Sequence, residues 1–148
     1  MNVEKAPDIQ ILLDRLLAAF EFAGEMQHVN TARIIAMRSH DSKARAYARI
    51  WNFPDIWQKA LDVKTYYIIE VLAHHFDPLN EEEKLKVLIH ELMHIPKTFS
   101  GALVPHLCFN KRINDKSVNV FYEKFKKAER EMPPASSERT QSIYTPAE

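Results

Sequence analysis

The chain has 148 residues, of which 46% are hydrophobic and 27% are charged, and these values fit one globular domain with a buried core. Its 20 basic and 20 acidic residues cancel, so no overall charge attracts it to nucleic acid or to an anionic membrane. A single cysteine, Cys108, excludes an intrachain disulfide. No apolar run approaches the roughly 18 residues of a membrane span, and no signal-peptide pattern opens the sequence, so we expect a cytoplasmic protein.

The first predicted element is an amphipathic helix. Apolar residues recur three and four positions apart from Ile9 to Phe20, and we expect Asp8 to cap this helix and Gly24 to end it. The next segment, residues 28–38, contains neither Gly nor Pro and is rich in β-branched and long apolar side chains. It predicts a strand.

A second helix is expected between Ser42, as its cap, and Pro54, which would close it. Within it Tyr47 and Trp51 would share an apolar face, as core residues or as walls of a substrate subsite. A short helical turn is expected to follow over residues 56–61.

Residues 65–76, TYYIIEVLAHHF, predict a strand with two mostly apolar faces. The alternation places Ile68 and Glu70 on one face and Tyr67 and Ile69 on the other. Such a strand is expected inside the sheet or along a substrate groove. Two roles are open for Glu70: a carboxylate that orients a metal-binding histidine, or a solvated acid at a sheet edge.

Two more helices are predicted in the second half of the chain. Asn80, followed three positions later by Glu83, is a variant of the capping box and should begin the first of them. The last helix is predicted over residues 117–130. Residues 131–148 contain Pro, Ser and Thr without periodicity, so we expect one domain over residues 1–130 and a disordered tail.

The helix that begins at Asn80 carries the motif H-E-x-x-H. Each helical residue turns the chain by about 100°, so His90 and His94 lie about 40° apart around the axis and can reach the same ion. Glu91 is offset from His90 by about 100°, which places its carboxylate beside the ion, where it can take a proton from water. This arrangement is typical of zinc hydrolases.

Catalytic zinc usually has three protein ligands and one open position, so a third ligand is needed. Pro96 is expected to stop the helix directly after His94. Gly101 then permits a tight reversal that brings His106 back as the third ligand. Glu123 on the last helix is the alternative ligand, because some zinc peptidases take a glutamate from a later helix.

Over about residues 30–125 the chain resembles the family of putative phage metallopeptidases. The resemblance implies an α+β fold, a minimal zincin-like single domain in which a small twisted sheet packs against helices that include the H-E-x-x-H helix. It also implies that His90, His94 and His106 bind the metal and that Glu91 is the base. The stretches that carry it are ARAYARIWNFPDIWQKAL, YYIIEVLAHHFDPL and EEKLKVLIHELMHIPKTFSGALVPH.

The expected function is therefore hydrolysis of peptide bonds in a protein or peptide substrate. Zn²⁺ would be the cofactor and Glu91 the general base. In zincins the substrate usually lies extended along a sheet edge, which the strand over residues 65–76 could provide. Tyr66, Tyr67 and Arg112 are all candidates for stabilising the oxyanion, and the sequence does not choose among them.

Two other functions are open. A basic stretch could associate with nucleic acid, although the net neutrality of the chain disfavours this as the main activity. The chain could also bind a metal for structure without turnover. The basic residues of the stretch are Arg33, Arg38, Lys43, Arg45 and Arg49.

Overall fold

The computed structural model describes residues 2–108 and 111–134. Within these residues the chain forms one α+β domain with a four-stranded mixed sheet, a two-stranded ribbon and five α-helices. A single 3₁₀ turn over Thr31–Arg33 precedes β2. The elements are β1 (Val3–Lys5), α1 (Pro7–Phe22), β2 (Ile34–Ser39), β3 (Ala48–Trp51), α2 (Asp55–Leu61), β4 (Tyr67–Leu72), α3 (Ala73–Phe76), α4 (Glu81–Leu92), β5 (Leu107–Cys108), β6 (Lys111–Arg112) and α5 (Asp115–Glu131).

The strands of the main sheet run in the order β1-β2-β4-β3. β2 and β4 are parallel and form its centre, whereas β1 and β3 add antiparallel at the two edges. β4 is therefore paired on both sides, so the expectation that residues 65–76 supply a sheet edge is wrong. The edge next to α4 is β3.

Three long helices, α1, α4 and α5, contact one another and cover one face of the sheet. Tyr67, Ile69 and Val71 of β4 point into the core on that face and are fully buried. Neighbours on the opposite face are more exposed, such as the cross-strand partners Trp51 and Ile68. The fold thus has a helical layer, where the H-E-x-x-H helix lies, and a more open sheet face.

The predicted helix between residues 42 and 54 is wrong, because its second half forms β3. Arg49 lies opposite Glu70 of β4, and this polar pair stabilises the strand from the partner side. Tyr47 and Trp51 are about half exposed rather than in the core. A four-residue strand whose stability depends on its partner carries too little periodicity to be distinguished from a helix by sequence.

The other element boundaries agree more closely with prediction. The strand predicted over residues 28–38 is present only in its second half, because the 3₁₀ turn covers Thr31–Arg33 and β2 begins at Ile34. β4 ends at Leu72, so the last four residues of the strand predicted over residues 65–76 form α3. α2 confirms the predicted turn over residues 56–61. None of the helices within the described residues is long and apolar enough to cross a membrane.

Helix ends show which predicted caps exist. Asn80 Oδ1 accepts a hydrogen bond of 2.9 Å from the backbone N–H of Glu83, as predicted. Asp8 does not cap α1; it lies in the first turn, and its carboxylate accepts hydrogen bonds from Arg38 instead. Gly24, at φ +75°, follows the end of α1. α5 extends to Glu131, and the tail predicted beyond it lies outside the described residues from position 135.

Candidate metal centre

α4 orients the H-E-x-x-H motif through its apolar stripe. Leu85, Leu88, Ile89 and Leu92 are buried against the core, which fixes the rotation of the helix about its axis. Three glutamates in the first turn interact favourably with the positive end of the helix dipole. With this rotation, His90 faces a cleft at the carboxyl end of α4.

The helix ends slightly earlier than predicted. Regular α-helix stops at Leu92, and His94 lies in the turn that follows, where its N–H donates to the carbonyl of Glu91 at 3.1 Å. Ile95 makes the equivalent bond to Leu92, also at 3.1 Å. Both bonds join residues three positions apart, as in a 3₁₀ turn, and they keep His94 close to the position that it would have in a helix. His90 and His94 therefore remain on the same side of α4.

The reversal after Pro96 depends on Gly101, which has φ +95°. A Cβ at this position would lie 2.1 Å from the carbonyl oxygen of Phe53, which excludes any larger residue. The Phe53 N–H also donates to the Gly101 carbonyl at 3.0 Å. The predicted reversal is therefore present, and the chain leaves it toward His106.

Among the described residues, His90, His94 and His106 form a group in which one ring nitrogen of each lies within 4.8 Å of the other two. The Nε2 atoms of His90 and His106 are 3.1 Å apart. Tetrahedral zinc with bonds of 2.0–2.1 Å holds its nitrogen ligands about 3.3 Å apart. The three side chains can therefore bind one metal ion with little rearrangement.

A hydrogen bond and burial favour the ring orientation and the charge state that metal binding requires. His94 Nδ1 donates to the carbonyl of Val104 at 2.6 Å, which leaves Nε2 as the free lone pair. Burial, followed by the charges of neighbouring histidines, lowers the pKa of His90. Burial also lowers the pKa of His94, partly opposed by the bond to Val104. Both imidazoles are thus favoured in the neutral form that metals require.

Glu91 lies beside the histidines and is 8% exposed. Burial alone raises the pKa of its carboxyl to about 7. A group with this pKa can both accept and release a proton near neutral pH, which is the property required of a general acid–base residue.

These residues line a cleft with a volume of about 840 Å³. One wall is the segment over residues 46–50, which includes the first part of β3, and the opposite wall consists of α4 and the start of α5. Tyr47, Ile50 and Leu103 provide apolar surface, whereas Asp115 adds a carboxylate that only partly opposes the lowering of the His90 pKa. The cleft has the size of a binding site for a small ligand or a short peptide segment.

The family model described as putative phage metallopeptidase matches residues 1–133 of the chain. The chain belongs to this family. No curated protein and no solved structure matches it at a significant level. The family description supports a peptidase that uses a metal, and the histidine group in this member is able to hold one.

Three other residues considered from the sequence are not part of the histidine group in this family member. Glu123, the alternative ligand, is not part of the histidine group and pairs with Lys126 at 3.3 Å. Tyr66 lies against the guanidinium of Arg33, and Arg112 pairs with Leu107 in the ribbon. The contact with Arg33 does not support an oxyanion role for Tyr66, and such a role for Arg112, opposite the residue after His106, stays a prediction.

Glu70 has neither of the two environments expected for it. It is buried and accepts hydrogen bonds from Arg49 at 2.8 and 3.1 Å and from the indole N–H of Trp51 at 2.8 Å. Burial raises the pKa of its carboxyl, but these donors outweigh burial and hold the pKa below its ordinary value. Glu70 thus binds side chains of the edge strand β3 and does not orient a metal ligand.

Two of the five basic residues considered for nucleic-acid binding are neutralised within the chain. Arg38 contacts the carboxylates of Asp8 and Asp77, at 2.7 and 3.2 Å. Arg49 contacts Glu70. The basic stretch therefore presents less free positive charge than its sequence suggests.

Sequence reasoning missed the residues that hold the loop between His94 and His106. Tyr67, on β4, contacts this loop through its hydroxyl, and Gln58, on α2, contacts it through its side-chain amide. One signal was present: a tyrosine in an otherwise apolar strand needs a hydrogen-bond partner when buried. The sequence gives no information on where that partner is.

Proposed function

We propose that the chain is a zinc-dependent peptidase that hydrolyses peptide bonds in a protein or peptide substrate. The observation that carries the proposal is the convergence of His90, His94 and His106 next to the buried Glu91, in one cleft. Membership of the family supports metal-dependent peptidase activity at a coarser level. What we propose beyond this is that the metal is zinc and that each residue has the role described below.

His90, His94 and His106 would hold the ion through one ring nitrogen each. Three neutral imidazoles suit zinc and leave a fourth tetrahedral position open, as catalytic zinc sites require. When bound, zinc supplies a Lewis acid that polarises the scissile carbonyl and makes water more acidic. The bond from His94 Nδ1 to Val104 keeps that ring in the orientation needed for binding through Nε2.

Glu91 would act as the general base and then as the general acid. Its carboxylate accepts the proton of the attacking water and passes that proton to the leaving amine when the peptide bond breaks. The raised pKa of Glu91, about 7, supports both steps near neutral pH. Its place between His90 and His94 keeps the carboxylate at the cleft.

The substrate would lie along β3 rather than along β4. β3 is the edge strand of the sheet, so one side of its backbone is not occupied by another strand of that sheet, and residues 46–50 line the cleft. An extended peptide can add to such an edge through backbone hydrogen bonds, which provide affinity with little dependence on sequence. Tyr47, Ile50 and Leu103 would then contact substrate side chains.

The test compares Glu91→Gln with the wild-type chain in a zinc analysis and in a peptidase assay on an unfolded protein substrate. We expect Glu91→Gln to keep one zinc per chain and to lose roughly 10²–10⁴-fold in rate, the usual contribution of a general base. Glu82→Gln is the matched control, since Glu82 lies on the same helix, is exposed and pairs with Lys86. A wild-type protein that binds zinc but cleaves no substrate would instead support a structural metal site.

A further inference from the structure

The hydroxyl of Tyr67 joins the central strand to the loop that leads to the third histidine. Its oxygen accepts a hydrogen bond of 2.8 Å from the N–H of Gly101 and donates one of 2.8 Å to the carbonyl of Ala102. Tyr67 is fully buried in β4, which is paired on both sides. A single oxygen atom thus attaches two consecutive loop residues to the most constrained strand of the sheet.

The tyrosine ring and the tyrosine hydroxyl make separate contributions. The ring packs edge-on against Phe99, with centroids 5.1 Å apart, and a phenylalanine would keep that contact. Only the hydroxyl can bond to the N–H of Gly101 and the carbonyl of Ala102. Without it, the N–H of buried Gly101 and the carbonyl of Ala102 would lose this partner, and a buried polar group left unpaired is unfavourable.

The loop segment held by Tyr67 is connected to two of the metal-binding histidines. Two residues beyond Ala102, Val104 donates its N–H to the His94 carbonyl at 2.7 Å and accepts the bond from His94 Nδ1 at 2.6 Å. Two residues further along is His106. The position of residues 101–102 therefore affects both the orientation of the His94 ring and the position of the His106 ring.

A second and weaker attachment comes from the other side of the loop. Gln58 Nε2 donates to the carbonyls of Phe53 and Ser100, each at 2.9 Å. Gln58 is only partly buried, so water can replace these bonds more easily than those of Tyr67.

From these contacts we propose that Tyr67 is a positioning residue of the metal centre: its hydroxyl fixes the loop that carries His106 and thereby sets metal affinity. The proposal rests on the proposed function, because it requires the three histidines to bind a metal. Tyr67 acts through His94 and His106 and does not contact the substrate or the reacting atoms.

The test measures Zn²⁺ affinity by competition with a chromogenic chelator for the wild-type chain, Tyr67→Phe and Tyr66→Phe. We expect Tyr67→Phe to bind Zn²⁺ about 10- to 100-fold more weakly, the usual effect of removing a partner that orients a metal ligand. The matched control is Tyr66→Phe, which removes the hydroxyl of the adjacent residue, whose ring lies against Arg33. Its Zn²⁺ affinity should equal that of the wild type.

Thermal unfolding with and without saturating Zn²⁺ distinguishes positioning from general stability. If Tyr67 only stabilises the fold, Tyr67→Phe lowers both midpoints and keeps the wild-type increment from zinc. If it positions His106, the increment itself becomes smaller, because stabilisation by a ligand depends on its affinity for the folded state.

The outcomes distinguish failure of this proposal from failure of the proposed function. Equal Zn²⁺ affinity in the wild type and Tyr67→Phe overturns the role of Tyr67 and leaves the proposed function intact. A wild-type chain that does not bind Zn²⁺ overturns both. If Tyr67→Phe does not fold, Gln58→Leu takes its place, because Gln58 holds the same loop at Ser100. It should weaken Zn²⁺ binding measurably but by less than about 10-fold. An unchanged affinity would mean that the attachment of this loop does not set metal affinity, which overturns the proposal.

Discussion

The candidate metal centre combines two regions whose histidines are positioned by different physical means. The first, α4, places His90 and His94 through bonds between residues three or four positions apart and through its apolar stripe. The second, the loop over residues 96–106, places His106 through contacts with residues 34 to 42 positions earlier in the chain, such as Tyr67 and Gln58. The positions of His90 and His94 are therefore set locally, whereas that of His106 depends on the tertiary structure.

This difference predicts unequal sensitivity to mutation. A helix tolerates the loss of one surface contact, because every turn repeats the same bonds. The loop relies on a few specific contacts around Gly101, each made once. Substitutions that disturb the loop should therefore reduce metal affinity and stability together, whereas substitutions at the start of α4 should reduce stability alone.

The largest effect is expected from Gly101→Ala. The added Cβ would lie 2.1 Å from the Phe53 carbonyl oxygen and 2.5 Å from Gln58 Nε2, at a φ of +95° that disfavours any side chain. We expect the free energy of unfolding to fall by about 4 kcal/mol or more, which is the range of severe core defects, and Zn²⁺ binding to be lost. Urea unfolding and the chelator competition measure both quantities.

The control is Gly24→Ala, at the other glycine of the chain. Gly24 also has a positive φ, +75°, but a Cβ there would meet only Gln27 Nε2 at 3.9 Å. This variant carries the backbone strain without the clash, so it should cost about 1–2 kcal/mol and leave Zn²⁺ affinity unchanged. Equal losses of stability and of Zn²⁺ affinity in the two variants would mean that the close contacts around Gly101 do not contribute more than backbone strain alone.

The sequence predicts the helical half of the centre well, because its signals are local. The cap at Asn80, the apolar stripe and the spacing of His90 and His94 all lie within one helix and its turn, and Gly101 marks the reversal. The sequence wrongly predicts a helix where β3 forms, and it does not predict the contact of the Tyr67 hydroxyl with the loop, because both features depend on partners far away in the chain. Glu70 is the clearest case: its charge is visible in the sequence, but its partners Arg49 and Trp51 are brought to it only by strand pairing.

The next largest effect is expected from Glu70→Gln, at the long-range contact that anchors the edge strand. Hydrogen bonds from Arg49 and Trp51 hold the pKa of Glu70 below its ordinary value of 4.5, despite burial. A carboxyl of this kind contributes stability above pH 4.5 and loses it as the pH falls through the lowered pKa. Glu70→Gln should therefore lower the free energy of unfolding by about 2 kcal/mol at pH 7. The variant should also lose less stability than the wild type when the pH is lowered.

Urea unfolding of the wild type and Glu70→Gln between pH 7 and pH 3 measures this difference. The exposed Glu82→Gln is again the control, with an expected change of at most about 0.5 kcal/mol. If the free energies of unfolding of the wild type and Glu70→Gln fall in parallel with pH, Glu70 does not contribute to the pH dependence of stability.

The smallest effect is expected from Asn80→Ala, which removes the cap of α4. Its side chain satisfies the N–H of Glu83 at 2.9 Å, and loss of such a cap costs about 1 kcal/mol. The cap lies at the amino-terminal end of α4 and the histidines at the other, and the apolar stripe between them still fixes the rotation of the helix. The metal-free and zinc-loaded proteins should therefore lose the same stability, with Zn²⁺ affinity within about twofold of the wild type. A clear loss of affinity would mean that the helical ligands also depend on distant contacts, and the contrast between the two regions would no longer hold.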